Sequence, residues 1–116
     1  MTITLYGIPN CDTVKKARDW LERHDVPYQF HDFKKAGVPA DRLAHWLQAA
    51  GWDTLLNRKG TTWRKLDDDT RAAAVDAASA SRLMVAQPSV IKRPVVEWAD
   101  GTVTVGFDAA DWAARA

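Results

Sequence analysis

The sequence contains one cysteine, Cys11, set in the segment Tyr6-Gly7-Ile8-Pro9-Asn10-Cys11-Asp12-Thr13-Val14-Lys15-Lys16. A strand-like run, Thr2 to Tyr6, precedes it, Gly7 and Pro9 supply a turn, and a helix-like run follows at once. That places the thiol at or near a helix N-terminus, where unpaired N–H groups and the helix dipole favour negative charge. A thiolate is such a charge, and it is the nucleophilic form of cysteine. A lone cysteine is commonly an inert, buried small hydrophobe. Asn10, Asp12 and Thr13 are poor company for a core position, so the reading favours a reactive thiol. The residue three places on is Val14, so there is no C-x-x-C pair, and any redox cycle requires a second thiol from outside.

The other residues with chemical capacity are basic. Arg58, Lys59, Arg64, Lys92 and Arg93 fall in two loops that flank a helical middle. A planar guanidinium suits an oxyanion or carboxylate and lowers the pKa of a nearby thiol. Solvated loop charge is the ordinary fate of such residues. Arg93 differs, because it lies between Val90-Ile91 and Pro94-Val95-Val96, at the head of a core strand. Histidines 24, 31 and 45 show no metal-ligand spacing, so no metal is expected. Asp67-Asp68-Asp69 reads as the acidic start of a helix, not as a cation loop.

The elements that must position these residues follow from periodicity. Val14, Ala17, Trp20, Leu21 and His24 form one helical stripe that should end near Asp25, ahead of Pro27. Tyr28 to Phe33 reads as a second strand, giving a parallel β-α-β opening. Residues 34 to 38 read as a loop. Pro39 opens a helix with the stripe Leu43, Trp46, Leu47 and Ala50, terminated by Gly51. A short helical piece, Trp52 to Leu56, leads to a polar surface loop, Asn57 to Lys65. Alanine-rich helix is expected from about Asp69 to Gln87, broken around Ala78 to Ser81. Val95 to Trp98 and Thr102 to Val105 flank Asp100-Gly101, a strong hairpin signal, and Asp108 can cap a last helix. The order is β-α-β, a helical insertion at about 39–87, then β-β-α. This is an α/β, thioredoxin-like plan in a single domain, 1–116.

Composition narrows the function classes. Sixteen basic and fifteen acidic residues leave a net charge of +1, so neither nucleic acid nor a membrane surface is an expected partner. No apolar run approaches the ~18 residues of a membrane span, and the N-terminus is too short and polar for a signal peptide. With no intrachain disulfide available, the expected setting is the cytoplasm.

Three segments together resemble the arsenate reductase and Spx family of thioredoxin-like proteins, most of all its YffB-type members. They are Tyr6 to Ala17, Leu55 to Arg64 and Gln87 to Val96, in family order and with family-like spacing. The resemblance implies a catalytic Cys11, oxyanion-binding arginines at Arg58 and Arg93, and Asn10 in the same anion-binding set. It also implies a cis-proline at Pro94 beside the nucleophile, whereas the residues alone leave the trans form ahead. Glutathione is the implied co-substrate, with glutathione or a glutaredoxin-like protein as thiol donor, no bound cofactor, a small oxyanion or disulfide as substrate, and a monomeric chain. Two departures shape the expectation. Val105-Gly106-Phe107 stand where arsenate reductases carry a third arginine, and Val14 removes the second thiol of the Spx redox switch. A glutathione-dependent thiol reductase is therefore the first expectation. A true arsenate reductase and an Spx-like module docking on RNA polymerase are the alternatives.

Overall fold

The computed structural model describes residues 2–116. The chain forms two compact units, one made of the residues up to Lys35 together with Arg93–Ala116, the other of Ala36–Lys92.

The first unit is built on a four-stranded sheet of order β2-β1-β3-β4, with β1 at Ile3–Gly7, β2 at Tyr28–Asp32, β3 at Val95–Glu97 and β4 at Val103–Val105. β1 pairs in parallel with β2 and antiparallel with β3, which pairs antiparallel with β4. Helix α1, Asp12–Arg23, makes the crossover between β1 and β2, and helix α8, Ala109–Arg115, closes the chain. This is the β-α-β and β-β-α core of a thioredoxin-like fold, with the second unit as an insertion in sequence between its halves.

The period-two register sorts the strands' side chains onto two faces. One row runs Phe30, Leu5, Val96 and Thr104, the next His31, Tyr6, Val95 and Val105. Ile3, Leu5 and Val96 pack with Val14, Ala17 and Leu21 of α1 and with Trp98 and Trp112 in one core. Trp112 makes T-shaped contacts with Trp20, Trp98 and Phe107, at centroid distances of 5.7, 5.2 and 4.8 Å. Full burial of a side chain such as Leu21 contributes about 1.5–3 kcal/mol, so this stripe anchors α1. Gly7 ends β1 because space there is short. A Cβ at Gly7 would lie 2.8 Å from Cγ2 of Val14, a fully buried side chain.

The second unit is helical: α3 at Ala40–Ala50, α4 at Trp52–Leu55, α5 at Thr61–Lys65, α6 at Asp68–Ala73 and α7 at Ala77–Ala86. Its buried residues include Leu43 and Trp46 of α3, Leu55 of α4, and Ala80 and Met84 of α7.

Three boundaries differ from the sequence reading. Residues 33–36 form a helical turn, α2 (Phe33–Ala36), where the last strand residue, Phe33, and the start of a loop are expected; β2 ends at Asp32 and buried Phe33 holds the start of the turn. The loop expected over 57–65 contains α5 in its second half. The break in the alanine-rich region comes earlier, after Ala73, because Asp76 starts a new helix through a capping box. Its side chain accepts from the Ser79 N–H at 2.8 Å, and the Ser79 hydroxyl oxygen accepts from the Asp76 N–H at 3.1 Å.

Candidate active site around Cys11

The parallel β1–α1 connection brings Cys11 to the first position outside α1. Cys11 is the N-cap residue, with extended backbone angles (φ −89°, ψ 126°). Its N–H donates to the Ile8 carbonyl at 3.2 Å, and its carbonyl accepts from the Lys15 N–H at 2.9 Å. The turn is thus tied to the strand on one side and to the helix on the other. An N-cap side chain faces the amides of the second and third helical residues, here Thr13 and Val14. The thiol makes no formed cap hydrogen bond, but those two N–H groups act on the anion. Cys11 is partly exposed. It also rests against the core that holds Val14 and Leu21, so access to solvent coexists with a fixed position.

Burial is the largest single influence on the Cys11 thiol and pushes its pKa up. It is outweighed by the Val14 N–H, by a hydrogen bond from the Arg93 side chain, by the Arg93 charge and by the Thr13 N–H, so the pKa falls below the ordinary thiol value. Hydrogen bonds and positive charge favour the charged form, and here they exceed the desolvation that opposes it.

Arg93 belongs to the same unit as Cys11 and stands directly before β3, which pairs with β1. Its Nε is buried. The next peptide bond, Arg93–Pro94, is cis. The Pro94 carbonyl accepts from the Gly106 N–H at 2.8 Å, which ties the segment to the end of β4. Asn10 is exposed in the turn just before the thiol.

Arg58 lies in the helical unit. Its guanidinium pairs with the Asp53 carboxylate at 2.5 Å and sits 5.3 Å from the Trp52 ring centre. Arg93 and Cys11 are therefore brought together within one unit, and Arg58 is part of the other. His24 stacks on Trp20 at 4.0 Å, and His31 packs against Tyr6 at 5.0 Å. Among the described residues, no three His, Cys, Asp or Glu side chains gather as metal ligands, and no helix is long and apolar enough to cross a membrane. Sequence reasoning placed positive helix-end potential at Cys11 but did not single out the Thr13 and Val14 amides. Their spacing of two and three from an N-cap residue is the signal that finds them.

The arrangement is a positioned nucleophile with a cation beside it, and known proteins share its frame. The ArsC family model matches residues 6–115. The solved YffB protein is 52% identical and superposes with a TM-score of 0.92, covering 98% of each chain. An arsenate reductase (ArsC) related protein from Brucella melitensis is 56% identical, with a TM-score of 0.76, over 98% of this chain and 93% of that one. The global transcriptional regulator Spx of Streptococcus mutans is 32% identical over 99 residues, which are 81% of this chain and 69% of the regulator. With a match that spans nearly its full length, the chain belongs to the ArsC family.

Proposed function

We propose that the chain is a cytoplasmic, glutathione-dependent thiol reductase that works through Cys11 alone. The observation that carries this reading is the thiol at the N-cap of α1, with the amides of Thr13 and Val14 and the side chain of Arg93 stabilising its anion. The Cys11 thiolate attacks the glutathionyl sulfur of a mixed disulfide. A new S–S bond forms between Cys11 and glutathione, and the substrate leaves as a thiolate that takes a proton from water. A second glutathione thiolate then attacks the glutathionyl sulfur on Cys11. Glutathione disulfide departs and the Cys11 thiolate is regenerated. Summed over both steps, one free glutathione is oxidised as the substrate sulfur is reduced to a thiol, and the glutathionyl unit taken from the mixed disulfide leaves in glutathione disulfide. A monothiol suits this cycle, because Val14 occupies the position of a resolving cysteine and is fully buried. Arg93 acts on the sulfur, while Arg58 and Asn10 are assigned to the anionic part of the substrate.

Arsenate reduction is the second reading, supported by the family and by the Brucella melitensis relative. It is weaker because Val105-Gly106-Phe107 offer no third guanidinium to a multiply charged anion. Docking on RNA polymerase in the manner of Spx rests on likeness to Spx regulators such as that of Streptococcus mutans.

The experiment follows reduction of a small glutathione mixed disulfide, coupled to glutathione reductase, in the unmodified protein and in Cys11→Ser. Turnover by the former and none by the latter is expected. Turnover that survives Cys11→Ser, or faster turnover on arsenate than on the mixed disulfide, overturns the proposal.

A further inference from the structure

A second chemical feature lies wholly within the helical unit. The loop after α4 and the segment before Arg93 are stapled by an isolated antiparallel bridge, Leu56 to Ile91. The Asn57 N–H donates to the Val90 carbonyl at 2.8 Å, and the Lys92 N–H donates to the Leu55 carbonyl at 2.7 Å. This staple sets Lys92 beside Arg58 and Lys59, and the three line one groove of about 480 Å3 together with Asp53, Thr54 and Asn57. The Asn57 side chain accepts from the Lys59 N–H at 3.2 Å, which fixes the loop that carries both cations.

Three cations face one carboxylate in this groove, leaving two positive charges in surplus. The carboxylate, Asp53, is bound to Arg58, and both side chains of that pair are well exposed. Among the described residues neither lysine is engaged in an ion pair. An exposed pair such as Arg58–Asp53 is weak, so a ligand anion can displace Asp53 and take the guanidinium fork. The volume lies in the small-molecule range of roughly 300–1,000 Å3.

We infer that this groove is a binding site for a small molecule carrying two negative charges, with Lys59 and Lys92 as its specificity-determining cations and Asp53 as an internal competitor for Arg58. The inference extends the anion role assigned to Arg58 and is independent of the thiol step. Phosphate and a dicarboxylate share the required chemistry. A peptide thiol donor such as glutathione brings two carboxylates.

The test uses the full chain with Cys11→Ser, so that no thiol reaction interferes and a failure here is distinct from a failure of the reductase reading. Inorganic phosphate, glutarate and S-methylglutathione are titrated separately at low salt, while the backbone amide signals of Arg58, Lys59 and Lys92 are followed by NMR. Saturable shifts at these amides are expected. Shifts with glutarate and S-methylglutathione alone identify a dicarboxylate site, and shifts with phosphate alone identify a phosphate site. Either outcome supports the inference. Lys92→Ala should weaken binding about fivefold, Asp53→Ala should tighten it by about the same factor, and raising the salt should weaken it. No saturable shift with any probe at millimolar concentration, or binding left unchanged by both substitutions, overturns the inference.

Discussion

Replacing Arg93 with methionine is expected to raise the midpoint of Cys11 ionisation by about one pH unit. Methionine keeps an unbranched apolar stem while removing the charge, which matters because Arg93 buries its Nε. A hydrogen bond to a charged group contributes about 1.5–3 kcal/mol. Cys11 and Arg93 are each partly exposed, so water screens their interaction and the low end of that range applies. At about 1.4 kcal/mol per unit, the low end corresponds to roughly one unit. The Val14 and Thr13 amides remain in the variant, and they continue to favour the anion. The rate consequence is smaller than the midpoint suggests. Below both midpoints the thiolate fraction drops about tenfold, but the more basic thiolate is about threefold more nucleophilic at a Brønsted coefficient near 0.5. At such a pH thiol exchange should therefore slow only about threefold. The assay is the pH dependence of Cys11 alkylation by iodoacetamide, run alongside Arg93→Lys, which keeps a charge and should move the midpoint less. A midpoint unchanged in Arg93→Met would refute the reasoning and leave the helix amides as the sole source of the lowered pKa.

Gly7→Ala should destabilise the protein by about 1–3 kcal/mol, because its Cβ overlaps Val14 at 2.8 Å in a packed core; an unchanged thermal midpoint would contradict that. The lowered folded-state pKa of Cys11 makes the protein more stable than Cys11→Ser above the ordinary thiol pKa of about 8.5. That advantage fades as pH falls through the folded-state midpoint, so denaturant titrations of both chains across about pH 5 to 9 should diverge with rising pH. A constant difference would show that the thiolate is not stabilised by folding. Gly106→Arg supplies a guanidinium beside Pro94 but at a φ of 88°, so a gain in arsenate turnover should come with about 1–2 kcal/mol of lost stability. A variant no better on arsenate would remove the missing arginine as a reason to expect weak arsenate reduction.

The elements around the thiol were legible because their signals are local and redundant. Val14, Ala17 and Leu21 repeat at helical spacing and all three are fully buried, and Asp100-Gly101 marks the β3–β4 turn. Turns such as α2 and α5 escaped because four or five residues cannot establish a period of 3.6. In the alanine-rich stretch almost every residue is compatible with helix, so only the caps locate the break. The Asp76 to Ser79 spacing carried that signal. The approach of Arg93 to Cys11 is a tertiary fact. It depends on β3 pairing with β1 across most of the chain, and nothing local to either residue encodes it. The flanking apolar residues marked Arg93 as unusual, and resemblance to a family gave it a partner. The pairing of Arg58 with Asp53 was likewise invisible, since the two residues lie on different sides of the turn that ends α4.

The central claim is that Cys11 is a nucleophile whose glutathione adduct is an intermediate. Intact-mass measurement after rapid mixing with a small glutathione mixed disulfide tests it most directly. The account predicts one glutathionyl group on Cys11 within the turnover time, removed when free glutathione is added, and none on Cys11→Ser. Turnover without that adduct, or an adduct that free glutathione cannot remove, would contradict it.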